Sequence, residues 1–500
     1  MADWTKKFEN LITDDKILSK FRLNKFFPLI ESKPDAVFVP EKKRDILKII
    51  KFAQKNKIPL IPYSSEWDFH GSTTALKGGI IVDLRRLSRI EKVRECFDGM
   101  SADLEPGVTF RKLNEELMYY NLRSLLPLRL PADCSVLSTY YGRNPLLEAN
   151  KYGYHQDWMI LTYQMAISKG IFVGMGSEGL ETGGEPGDYP YSPRADLGRM
   201  FLGSIGAFGI VSRATVKLKY RPEKYEFLFT SGNNLIEILM KLRKITISTD
   251  AGQTVLIADP KILASYLAKS RQEYSDFRDK LADWTGIIAI AGNDEYIEVE
   301  KADLLEAANR VGLQLLGEES YPHITKLLRA EFRVPENVGR CFDFAPHLRI
   351  EFYTTAGKLE KIRAIMNEFF KSIKLPEDNI GFIANSLEMG RTYFCEYDIY
   401  YDPPAEKIDP AALPTIGEKN LHDLYEECYK TLINANAVIN VPRNIITAQL
   451  LYPRVPNYYE MMRVLKYCLD PNNIMHPSII FGGQGGIDPK TIQIAKEVTQ

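Results

Sequence analysis

Residues 34–72 read PDAVFVPEKKRDILKIIKFAQKNKIPLIPYSSEWDFHGS. A short β-branched run closes at Pro40, and from Glu41 to Asn56 apolar residues recur at 46, 47, 49, 50 and 53. That is the period of a helix with one buried face. Ile58 to Pro62 predicts a second strand and Gly79 to Leu84 a third. The connection between them, YSSEWDFHGSTTALKG, is too long and too polar for a turn, so it is expected to face a ligand. The stretch therefore predicts a compact α/β unit with a functional loop after its second strand.

Outward from this unit, SADLEPGVTFRKLNEELMYYN (residues 101–121) predicts a strand, a turn and a helix. A stretch of poor periodicity follows, rich in Gly, Pro, Tyr and Asp, with an apolar strand, WMILTYQMAIS, and a hairpin partner, GIFVGM. In FLGSIGAFGIVSRATVKLKYRP, Gly203, Gly206 and Gly209 precede an alternating β-branched strand. The character changes at Pro222. Lys224–Thr230, a helix through Lys244 and Gln253–Ala258 form one set. His347–Thr354, a helix through Ile373, Asn379–Asn385 and Thr392–Tyr401 form a second. Together they predict an antiparallel sheet with helices on one face. A helix from Leu421 to Ala435, a helix from Tyr458 to Cys468, the turn DPNNIMHP and a Gly-rich tail complete an α+β chain.

At 500 residues the chain is too long for one core, so two large domains are expected. Lys and Arg (64) balance Asp and Glu (65), which argues against nucleic acid or a membrane surface as partner. Six Cys lie far apart without a CxxC pair, and six His are scattered without an HExxH motif. Neither a disulfide framework nor a metal site is expected. The N-terminal stretch lacks an apolar signal core, and no run approaches the ~18 apolar residues of a spanning helix. A cytoplasmic location without direct membrane insertion is expected.

Several ordered segments carry a resemblance: residues 34–72, LEPGVTFRKLNEEL (104–117), SVL (135–137), KYGYHQDWMI (151–160), GAFGIVSRATVKL (206–218), GFIANSLEMGRTYFCEYDIYYDP (381–403) and LDPNNIMHP (469–477). In this order they resemble the p-cresol methylhydroxylase and vanillyl-alcohol oxidase family of FAD-binding oxidoreductases. The resemblance implies a two-part FAD domain, 1–220 and 445–500, with a substrate-covering cap, 221–444, inserted into it. It implies FAD held by three segments, expected to be non-covalent because the region before CFDFAP has no clear counterpart of the His or Tyr that links the flavin in some members. The first is Tyr63, Ser64, Ser65, Glu66, Trp67, Asp68, Phe69, His70 and Gly71. The second is Pro131, Asp133, Cys134 and Ser135, and the third is Gly203, Gly206, Gly209, Ile210 and Val211. Glu66 and Asp68 are acidic where a diphosphate is expected, so their side chains should turn away from it.

The catalytic positions depart from the family pattern. His70 stands where the phenol-oxidising members carry a tyrosine that binds the phenolate oxygen. Ile439 and Asn440 stand where they carry a Tyr-Arg pair, and Arg443 follows three residues on. Tyr152 and His155 keep family-like positions. The candidate catalytic set is therefore His70, Tyr152, His155, Asn440 and Arg443, with His70 able to take a proton as hydride leaves. His323 is the His nearest the family's covalent flavin link and reads as a surface residue.

The activity implied is a dehydrogenase that takes hydride from an activated carbon of an aromatic alcohol, alkylphenol or related small molecule to flavin N5, and passes electrons to a protein acceptor. Two further readings stay open. One is a 2-hydroxy-acid dehydrogenase of the glycolate or D-lactate type, whose metal-binding cluster is not found. The other is an FAD-binding subunit of altered chemistry within an assembly. A homo-oligomer, or a place in a hetero-oligomer, is expected.

Overall fold

The computed structural model describes residues 8–95, 99–153, 159–179, 197–336, 341–401, 414–477 and 479–481. His155 and the Gly-rich tail lie outside them.

The opening unit is a four-stranded sheet in the order β1-β2-β4-β3: β1 (Leu11–Ile12), β2 (Ala36–Phe38), β3 (Leu60–Tyr63) and β4 (Ile80–Asp83). β2, β4 and β3 run parallel, and β1 pairs antiparallel at the edge. Helix α1 (Lys43–Asn56) is the crossover. Its apolar period buries Ile46, Ile49, Ile50 and Ala53 against Leu60, Ile80 and Val82. A crossover between parallel strands packs on the sheet in this way, and leaves the loop after β3 at the carboxyl edge, where ligands bind in open α/β sheets.

A second sheet of five antiparallel strands has the order β5-β6-β9-β7-β8: β5 (Ile90–Arg94), β6 (Ser101–Leu104), β7 (Ile160–Ile167), β8 (Ile171–Met175) and β9 (Ile210–Lys217). β7 and β8 form the hairpin the sequence predicts. Between β6 and β7 lie α2 (Phe110–Leu117), capped by Thr109 on the Lys112 amide, and α3 (Val136–Tyr141), capped by Ser135 on the Ser138 amide.

Residues 224–400 carry a six-stranded antiparallel sheet in the order β10-β12-β11-β14-β15-β13. Its strands are β10 (Lys224–Gly232), β11 (Thr254–Ala258), β12 (Trp284–Gly292), β13 (His347–Thr354), β14 (Ile380–Leu387) and β15 (Thr392–Tyr400). The sequence reading does not include β12, which separates β10 from β11; its run WTGIIAIAG is buried on both faces and shows no alternation. Leu228, Ile257, Ile288, Ile350 and Phe352 face helices α4 (Leu235–Thr249), α5 (Asp294–Val311), α6 (Ala356–Ser372) and α7 (Leu421–Asn434). Phe227, Leu256, Ile287 and Tyr353 face the other way, into a core shared with residues 102–218.

Helix α8 (Ile445–Leu451) packs Ile446 into the helix-covered core, and α9 (Pro456–Leu469) leads back to the first sheet. There Ile474 and Met475 join its core; the Leu60 amide donates to Ile474 O at 2.7 Å and the His476 amide to Leu60 O at 2.9 Å. The buried Lys466 ammonium donates at 2.6 Å to Asp470, to Ala207 O and to Met475 O. Among the described residues no helix is long and apolar enough to cross a membrane.

Candidate active site

The loop after β3 is organised by one carboxylate. Asp68 Oδ1 accepts from the amides of His70 (3.2 Å) and Ser72 (3.0 Å) and from Ser72 Oγ (2.9 Å). Oδ2 accepts from the Thr73 amide and hydroxyl, both at 2.8 Å. The acidic residue that the resemblance places against a diphosphate is thus folded into its own loop, as an Asx turn folds. The C-terminal turn locks the same loop, with His476 Nε2 2.8 Å from Ser72 O.

This loop forms one wall of a long cavity, enclosing about 1060 Å³ of space between protein atoms, open solvent at its mouth included. Pro62, Leu84, Gly206, Gly209 and Val211 line it where the first two sheets meet. Trp67, Phe69, Leu130 and Cys134 line another part, and Tyr141, Gly142, Asn144 and Arg443 also line it. Hydroxyls of Ser64, Ser65, Ser72, Thr73, Ser138 and Thr139 border it. A tighter, nearly filled pocket adjoins, lined by Glu351, Tyr353, Tyr425, Tyr429, Asn440 and Arg443 among others. Arg443 borders both.

A buried cluster links the two cavities. His70 Nε2 lies 3.0 Å from Glu351 Oε1, and Arg443 Nε donates to Glu351 Oε2 at 3.3 Å. Arg443 also donates to Gly142 O (3.1 Å) and Arg143 O (3.4 Å). Asn444, the cap of α8, donates to His70 O and to the Tyr425 hydroxyl, both at 2.9 Å, so the backbone of His70 is fixed too. His70 Nδ1 is buried with no hydrogen-bond partner among the described residues. Burial pushes the Glu351 carboxyl up, but His70 and Arg443 outweigh it and hold the group well below the usual carboxylate range.

Glu351 sits on β13, where alternation turns His347, Arg349, Glu351 and Tyr353 to one face. The neighbouring strand β15 sets Asp398 opposite Arg349 and Glu396 opposite Glu351. Arg129 reaches across from the long connection and pairs with Glu396 and with Asp398 at 2.6 Å. Burial raises Glu396 to about 8; Asp398, also pushed up by burial, is held low by Arg129 and His347. Arg349 lies 4.0 Å over the ring of Phe69, so this ionic layer backs the cavity wall. Sequence reasoning missed Glu351. Its one signal is the string HLRIEFYT, where charge recurs at alternate positions of an otherwise apolar strand.

The cofactor positions expected from sequence divide. Ser64, Ser65, Trp67, Asp68, Phe69, His70, Cys134, Gly206, Gly209 and Val211 line the long cavity. The others are placed elsewhere, each for a physical reason. The Tyr63 ring packs under the Arg85 guanidinium at 5.2 Å, and Glu66 pairs with Arg85. A Cβ on Gly71 would stand 2.5 Å from the Phe27 ring, so this glycine serves packing and a φ of +72°. The Pro131 carbonyl closes a turn onto the Cys134 amide, Asp133 turns outward to Arg111 at 2.8 Å, and Ser135 caps α3. Gly203 adjoins Arg143 and Val441, and Ile210 is core.

Of the catalytic candidates, His70 and Arg443 come together, and Asn440 lines the small cavity. Tyr152 lines neither cavity; Lys219 Nζ lies 4.5 Å over its ring. His155 lies outside the described residues. His323 stacks on Phe277 and lines neither cavity. Among the described residues no group of His, Cys, Asp and Glu is arranged to hold a metal ion.

Comparison with known proteins shows residues 34–172 to match an FAD binding domain. The mitochondrial D-lactate dehydrogenase [cytochrome] of Arabidopsis thaliana is 26% identical over 190 residues, 38% of this chain and 31% of that protein. The match thus spans about a third of that relative's length. Among solved structures, the 4-ethylphenol oxidase from Gulosibacter chungangensis superposes with a TM-score of 0.80 at 18% identity, over 98% of this chain and 97% of that one. A p-cresol methylhydroxylase with substrate bound superposes with a TM-score of 0.79 at 16% identity, over 95% and 94%.

Proposed function

We propose, from the premise that this chain carries an FAD-binding domain and has the fold of 4-ethylphenol oxidase and p-cresol methylhydroxylase, that it is an FAD-dependent oxidoreductase acting on a small organic hydroxyl compound. The observation that carries the reading is the His70–Glu351–Arg443 cluster at the junction of the two cavities. The long cavity fits the cofactor. Its apolar walls suit flat rings, and the hydroxyls of Ser64 and Ser65 offer donors to a diphosphate. Asp68 uses the amides of His70, Ser72 and Thr73, which leaves those of Ser65 and Phe69 as donors the loop does not spend on itself. FAD, when bound, supplies the hydride acceptor.

The chain's own residues do the rest. The substrate binds where the two cavities meet at Arg443, beside His70 and Glu351. Glu351 fixes the imidazole of His70 through Nε2, as a carboxylate fixes a catalytic histidine elsewhere. The unpartnered Nδ1 is the atom left to take the hydroxyl proton. Arg443 keeps Glu351 ionised, so the pair stabilises the imidazolium that forms. FAD is held non-covalently, and electrons leave to a protein acceptor. Anaerobic flavin reduction by small alcohols, compared between wild type and His70→Ala, tests this reading. Equal reduction rates in the two proteins would remove His70 from the chemistry. A second reading, oxidation of a 2-hydroxy acid, draws on the match to a D-lactate dehydrogenase over 38% of the chain.

A further inference from the structure

The two readings differ in the charge of the substrate, and the electrostatics of the small cavity separate them. Among the described residues, Arg443 is the one Lys or Arg that lines either cavity. Its charge is already matched: Nε meets Glu351 at 3.3 Å, and the two terminal nitrogens donate to Gly142 O and Arg143 O. Arg143 lines neither cavity and is itself engaged by other groups. The ionised Glu351 carboxylate faces the small cavity, is held by His70 and Arg443, and is 12% exposed at its side chain. His70 and Arg443 are both already engaged with Glu351. An entering carboxylate or phenolate would find no uncommitted cation and would approach a buried anion, a juxtaposition that costs strongly where water is excluded.

The remaining walls are Tyr353, Tyr425 and Tyr429, the uncharged polar Asn440 and Thr447, and apolar groups. The Tyr429 hydroxyl accepts from the Glu351 amide at 3.1 Å, and that of Tyr425 accepts from Asn444 at 2.9 Å. Ile439 and Val441 complete a lining for an uncharged, partly apolar molecule. Resting on the oxidoreductase reading above, we infer that Glu351 is a specificity-determining residue that restricts the site to uncharged hydroxyl compounds and rejects 2-hydroxy acids and phenolates.

The test uses the FAD-loaded full chain and two non-reacting probes of equal shape, benzamide and benzoate, titrated against the flavin absorption spectrum near neutral pH. Benzamide should perturb the spectrum with a dissociation constant at least about tenfold below that of benzoate, the scale of one uncompensated like-charge contact. Glu351→Gln should narrow that ratio, through tighter binding of benzoate. The wild-type ratio decides the matter even if the variant does not fold. Benzoate binding as tightly as benzamide, or neither probe perturbing the flavin, overturns the inference while leaving a flavoprotein. A chain that takes up no FAD overturns the underlying reading instead.

Discussion

His70 and Glu351 are 281 residues apart in sequence and 3.0 Å apart in the fold. The first was legible because it lies in a polar loop after a β strand, where function is expected. The second was not, because a glutamate on a cap strand acquires meaning only when a residue from the other part of the chain meets it. The same distinction explains Tyr152. It follows the sequence pattern, yet packs beneath Lys219 and away from both cavities. Two predictions belong at this scale. His70→Ala should retain FAD and lose about 10²–10⁴-fold in the rate of flavin reduction, measured by anaerobic stopped flow. Tyr152→Phe should reduce its flavin at the wild-type rate; a comparable loss there would move the proton acceptor away from His70.

At the scale of elements, the loop of residues 64–73 was placed correctly by its neighbours, and its interior was not. The family resemblance sets two carboxylates where a diphosphate is expected. The fold turns Glu66 to Arg85 and spends Asp68 on five hydrogen bonds within the loop. Asp68→Ala should release three amides, at a cost of about 1–3 kcal/mol for each left buried and unpaired. It should weaken FAD binding in a fluorescence titration and speed proteolytic cleavage within 64–73. An unchanged dissociation constant for FAD would show that the loop's order does not depend on this carboxylate. The strands of the six-stranded sheet were legible where charge or polarity alternates. β12 was not, since a strand buried on both faces has no period to read.

At the scale of the molecule, the turn LDPNNIMHP ties the end of the chain to its beginning. We propose that the described part of 445–481 beyond α8 completes the unit begun by residues 11–218, around the inserted cap, with α8 itself packed on the cap. Lys466 is the anchor: burial lowers it to about 8, yet it holds Asp470 and two carbonyls. Lys466→Met should cost about 3–5 kcal/mol in denaturant unfolding, because it strands a buried carboxylate. Two buried histidines set the acid limit. Burial lowers both His347, facing Asp398, Arg349 and Arg129, and His476, facing Ser72 O, Lys466 and Asp68, to about 4 from 6.5. The unfolded chain binds their protons first, so stability is full above about pH 6.5 and falls as pH drops toward 4, by up to about 3 kcal/mol for each. Thermal unfolding followed from pH 7 to 4.5 should show this decline, less steep in His476→Gln, and a flat profile would contradict it.

The account stands on the cavity behind the loop of residues 64–73 being an FAD site lined by His70. The most direct measurement is the visible spectrum of the purified chain before and after acid precipitation. A yellow protein whose flavin passes wholly into the acid supernatant as FAD is the predicted result. A colourless protein that takes up no added FAD would contradict it.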